Sequence, residues 1–125
     1  KLYRDNNLVL YINDIKIDSF IKFVRVIIFP PKLSFSKCLN KIINSVNEGV
    51  VSGIDISLGF GGLYDHVLFV YGYDDSNLYV FDTHVVDIID YKKITPDSDK
   101  RYIMILPINE IKKRWTRFGR FWEVK

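Results

Sequence analysis

The chain is 125 residues long, 48% hydrophobic and 26% charged, which is enough for one modest globular domain and excludes both a disordered chain and a two-domain protein. The net charge of +3 is too mild to argue for nucleic acid, and one cysteine excludes an internal disulfide and any multi-thiolate zinc site. Lys22 and Arg25 interrupt the best apolar run before Pro30 and Pro31, so no segment has the length of a membrane span. The first residue is Lys1 rather than Met, which fits an excised piece of a longer protein.

Residues 8–29 are rich in Val, Ile and Phe and are broken by the polar pairs Asn13-Asp14 and Asp18-Ser19. They read as two or three strands, or a hairpin, ending at the prolines. The clearest helix follows. Phe35, Cys38, Leu39, Ile42, Ile43 and Val46 share one face, with Ser34 as N-cap and Gly49 as the C-terminal stop. Residues 50–58 form a strand, followed by the loop Gly59-Phe60-Gly61-Gly62. Strands at 66–73 and 77–83 then flank Asp74-Asp75-Ser76-Asn77, which has the chemistry of a turn.

After the polar stretch through Pro96-Asp97-Ser98-Asp99, residues 101–106 read as another strand. Pro107 opens a short helix, with Glu110 early and Lys112, Lys113 and Arg114 late, an order that suits the helix dipole. FGRFWEVK closes the chain as a last strand. The class expected is α+β, an antiparallel sheet with two helices.

The hairpin carries the most chemistry. His66 opens its first strand and Asp82 lies near the end of its second. With a turn centred near residue 75, His66 lies opposite roughly residue 84, and Asp82 is its diagonal neighbour about 7–8 Å away between backbones. A carboxylate beside an imidazole fixes its tautomer and stabilises its charged form, as a general base of nucleophilic catalysis requires. A one-residue slip places the two on opposite faces, and leaves a surface histidine beside an aspartate that merely ends a strand.

Other residues admit two readings each. Cys38, near a helix N-terminus, is placed for an activated thiolate, but it also falls on the apolar stripe and there reads as core. His66, Asp82 and His84, with Asp65 or Asp87, have metal-ligand chemistry without an established zinc spacing. Gly59–Gly62 is not a phosphate loop, since no helix and no Lys-Ser/Thr pair follows. It either lets a substrate approach closely or simply connects two strands. The basic-aromatic tail IKKRWTRFGRFWEVK reads as a nucleic-acid surface or, preferably, as a helix packing Ile111, Trp115, Phe118 and Trp122 inward. No cofactor or metal is expected.

The order LNKIINSVNEG, VVSGIDISL and HVLFVYGYDDSNLYVFD resembles the C-terminal half of papain-like cysteine peptidases of the bacteriocin-processing, double-glycine-leader type. His66, Gly72 and Asp82 match that pattern, while Thr83 stands where the family has proline. Ile42-Ile43, Gly49, Ile54-Asp55 and Gly72-Tyr73-Asp74 are similar to the papain-like domain of butirosin-biosynthesis acyltransferases. The resemblance covers about the middle third of the chain and implies a papain-like sheet lobe, with His66 as base and Asp82 as its orienting partner.

The family's nucleophilic cysteine, and the glutamine preceding it, would lie upstream. This chain has no glutamine, and Cys38 is too close to the histidine strand. The expectation is therefore one domain over 1–125, a papain-like fragment lacking its nucleophile lobe and not active as it stands. The partner implied is a peptide or acyl-carrier substrate, in the cytoplasm, without nucleic acid or membrane. The alternative is a non-catalytic module of the same fold that recognises a peptide or carrier protein. Loss of a lobe would leave apolar surface for another copy to cover, so a homo-oligomer is open.

Overall fold

The computed structural model describes residues 8–59, 64–82, 92–93 and 103–125. They form an α+β fold with an antiparallel sheet in the order β2-β1-β8-β3-β4-β5-β7-β6. The strands are β1 (Leu10–Ile12), β2 (Ile15–Lys16), β3 (Val51–Gly59), β4 (Tyr64–Tyr73), β5 (Asn77–Phe81), β6 (Lys92–Lys93), β7 (Ile103–Pro107) and β8 (Arg120–Val124). The helices are α1 (Phe20–Ile28), α2 (Phe35–Glu48) and α3 (Ile108–Arg114).

Helix α2 forms where its caps and stripe predict. Ser34 accepts a hydrogen bond from Lys37 N, and Gly49 takes the left-handed conformation at φ 71°, which a side chain would strain. Its apolar stripe, with Cys38 and Ile42 fully buried, lies over Ile54, Ile56, Leu68 and Val80 of the sheet. Helix α3 adds Ile111 to the same core, and Phe121 enters it from β8. Alternation along each strand therefore sends one set of side chains under α2 and α3 and the other set to the opposite face.

Residues 20–28, expected as strand, are instead a third helix. Its N-cap is Ser19, whose hydroxyl accepts from Lys22 N at 3.2 Å. Phe23, Val26 and Ile27 turn towards the sheet at helical spacing, but Phe20, Ile21, Val24 and Ile28 on the outer side are apolar too. Lys22 and Arg25, three residues apart, mark one side of the helix, but the segment is short and its Val, Ile and Phe residues favour strands, which masks the helical period. The first polar pair is the expected turn: Asn13 and Asp14 adopt φ of 47° and 68°, the positive values a tight two-residue hairpin needs.

The last strand also differs from one detail of the sequence reading. Trp122 belongs to β8 rather than to the helix with Ile111 and Trp115, and it faces away from them, 6.4 Å from the Phe23 ring between centroids. Among the described residues, no helix is long and apolar enough to cross a membrane.

Candidate functional site

The site begins with the register of the β4–β5 hairpin. Next to the turn, Tyr73 pairs with Leu78 and Gly72 with Tyr79. Continued unbroken, that register would set Asp82 opposite Phe69 and put His66 on the face away from α2. A β-bulge intervenes: Tyr71 is an extra residue, and beyond it Val70 pairs with Val80 and Phe69 with Phe81. The shift of one residue reverses the parity of everything that follows. His66 thereby joins Leu68 and Val70 on the core face, where Asp82 already lies in line with Leu78 and Val80, diagonal to it. The bulge uses glycine at 72, where a Cβ would lie 2.8 Å from Cδ2 of the Tyr79 ring.

The two side chains meet. Both carboxylate oxygens of Asp82 lie 2.9 Å from Nε2 of His66. The Asp82 side chain is fully buried and that of His66 is 11% exposed. An ionised carboxylate only accepts, so Nε2 carries the proton and Nδ1 has the lone pair of the neutral ring. Among the described residues, Nδ1 has no hydrogen-bond partner. The arrangement is a fixed imidazole with one basic nitrogen left to face a reactant, and it can take a proton from a thiol, hydroxyl or water brought to Nδ1.

Cys38 is not that reactant. It is fully buried in the core beneath α2, and burial pushes its thiol up to about 12, against a small opposing effect of the Lys41 charge. The core reading of this residue stands. His84, Asp87 and residues 60–62 of the glycine loop lie outside the described residues. Among those described, no cluster of three metal-ligating side chains occurs. Asp65 points elsewhere, into an ion pair with Arg120.

That ion pair belongs to a cluster absent from the sequence reading, on the opposite face of the same strands. Arg120 is the cross-strand partner of Asp55. Its Nε donates to Asp55 Oδ2, its Nη2 to Asp65 Oδ2, and its Nη1 to the Ile27 carbonyl at 2.6 Å. Trp122 Nε1 donates to the second Asp55 oxygen at 2.8 Å. Burial raises the pKa of Asp55, opposed chiefly by the Arg120 charge and its hydrogen bond. Asp65 is raised for the same reason and by the nearby Asp55 charge, with Arg120 again opposing.

No local signal marked it: Asp55 and Arg120 alternate with the core residues Ile54, Ile56 and Phe121 and so read as outward-facing charges. The cluster also bears on the tail. Arg120 is spent on it, and Arg114 donates to Glu110 at 2.7 Å and to the Ser57 carbonyl at 3.2 Å, so neither guanidinium is offered to a nucleic acid. The Arg114 bond braces β3 next to Ile56, the strand partner of His66.

No protein-family model, curated protein or solved structure matches the chain.

Proposed function

We propose that the chain is the base-bearing part of a papain-like thiol enzyme, a peptidase or an acyltransferase, in which His66 is the general base and Asp82 its orienting residue. The observation that carries this reading is the paired contact of a buried carboxylate with Nε2, which leaves Nδ1 as the basic atom. In the reaction, a thiol gives its proton to Nδ1 and its sulfur attacks a carbonyl carbon. The imidazolium returns the proton to the departing amine, thiol or hydroxyl, and Asp82 stabilises the charged ring meanwhile.

The thiol comes from outside these 125 residues, because the single cysteine is a core residue. The substrate class is a peptide or an acyl group on a carrier. The setting is the cytoplasm, whose reducing poise keeps such a thiol competent.

The test is turnover of a generic thioester and of a fluorogenic peptide by the full-length protein that contains this chain. His66→Ala is expected to lower kcat about 10²–10⁴-fold, the range for loss of a general base. Undiminished turnover ends the reading.

A second reading, a non-catalytic module of the same fold that binds a peptide or carrier protein, is favoured by the burial of Cys38. It predicts no turnover by the full-length protein and binding that survives His66→Ala.

A further inference from the structure

The eleven large hydrophobic residues that are exposed among the described residues are all on one side of the protein. Helix α1 lies across the sheet face opposite α2, held by the Arg120 bond to the Ile27 carbonyl and by Phe23 against Trp122. Outward from it project Phe20, Ile21, Val24, Ile28 and Phe29. Beside it on the same face, β3, β4 and β5 present Val51, Val67, Phe69, Tyr71 and Phe81, with Leu8 at the margin. Across the strands of that face runs a groove of about 260 Å³ lined by Leu10, Val51, Gly53, Val67, Phe69 and Val124.

Aromatic side chains offer about 150–250 Å² each, so eleven large apolar residues at these exposures leave on the order of 1,000 Å² uncovered. A monomer's largest apolar patch is about 300–600 Å². A stable protein–protein interface buries about 800 Å² per partner. The area is that of an interface.

We propose that this face is a two-fold interface between two copies of the chain, α1 of each lying in the apolar groove of the other. The single face carries both halves of the contact, a protruding apolar helix and a recessed apolar groove beside it. A self-complementary patch of that kind is what a two-fold axis closes, since residue i meets j and j meets i. The polar Asp55–Arg120–Asp65 cluster, already satisfied within each chain, fixes α1 at the height from which it projects. The inference stands apart from the catalytic reading, because the dyad lies on the other face of the sheet.

The experiment is sedimentation velocity and equilibrium of the purified chain. Ile21→Glu, on the ridge, and Phe69→Lys, in the groove, are each expected to weaken dimerisation at least about tenfold, the effect of losing one central contact. An equimolar mixture of the two variants is expected to regain a dimer. One helix–groove contact in it pairs Glu with Lys, and the other is native. Ile28→Glu and Phe81→Lys replace either variant if circular dichroism shows that it does not fold. A wild-type monomer at high micromolar concentration overturns the proposal, as does a dimer indifferent to both substitutions, or a mixture that stays monomeric.

Discussion

Asp65 and His66, adjacent on β4, are anchored on opposite faces of the sheet, one to Arg120 and the other to Asp82. The end of the strand is held from above and below, and the predictions below follow from the two anchors and from what surrounds them.

Asp82→Ala removes the acceptor from a half-buried imidazole N–H. The expected cost is about 1–3 kcal/mol, that of leaving a buried donor unpaired. In ¹⁵N NMR the wild-type ring is expected as the Nε2–H tautomer, and the variant as a mixture of both. A wild-type ring protonated on Nδ1 at neutral charge would contradict the assignment.

Gly72→Val attacks the dyad from a distance. The added side chain meets Tyr79 and presses on the bulge. If the bulge is lost, the register slips by one residue and His66 turns away from Asp82. The expected result is the mixed tautomer of Asp82→Ala although neither partner has been altered. A variant that keeps the Nε2–H tautomer would show that the bulge does not need glycine.

Arg120→Met leaves the buried Asp55 carboxylate without its cation. Breaking one side of a buried ion pair costs about 3–5 kcal/mol, to be measured by urea unfolding. Asp55→Leu in the same chain is expected to recover much of that loss, because no uncompensated charge remains at 55. A double variant as unstable as the single one would mean that the guanidinium acts mainly through Ile27 and Asp65.

Stability against pH should reflect the same cluster. The folded-state pKa values of Asp55 and Asp65 are raised above the ordinary 3.8 by burial. In the window just above 3.8 the folded state therefore binds more protons than the unfolded one. Their contribution to stability is present in full below 3.8 and is lost as pH rises through the raised values. Asp74 acts in the opposite sense. Its pKa is lowered, first by the Ser76 N–H and then by the Tyr79 hydroxyl, so its contribution is lost as pH falls below 3.8. Urea midpoints from pH 3 to 7 are expected to show a smaller decline with rising pH in Asp55→Asn than in wild type; an equal decline would contradict the shift at Asp55.

Cys38, with its thiol at about 12, is expected to be inert to a disulfide reagent at pH 8 until the protein unfolds. Its modification rate should rise with urea in step with global unfolding. Rapid reaction in the absence of denaturant would show that α2 opens locally.

What was legible in the sequence was what is written locally. Helix α2 carried its own start at Ser34, its own end at Gly49 and a clean apolar stripe between them. The meeting of His66 and Asp82 was legible for a partly mistaken reason. The turn lies half a residue later than a centre at 75 would put it, with Tyr73 on Leu78, and the extra residue at Tyr71 restores the register further along. Nothing in a single strand announces a bulge of that kind.

Helix α1 was misread because nine residues rich in Val, Ile and Phe carry strand propensity, while only Lys22 and Arg25 mark the helical period. The Arg120 cluster was out of reach because its members come from residues 27, 55, 65 and 120 and meet only through the pairing of β8 with β3. Whether β8 or another strand flanks β3 is a fact of topology, and local patterns do not encode it.

The back-to-back anchoring of Asp65 and His66 has a bearing on how such a protein can diversify. Two restraints on adjacent residues, pulling in opposite directions, block rotation of the strand about its own axis, so the orientation of the imidazole is set within the sheet. That orientation needs no help from residues before Tyr64, whose substitution is therefore expected to carry no penalty at His66, and selection can alter them while the proton-handling pair stays where it is.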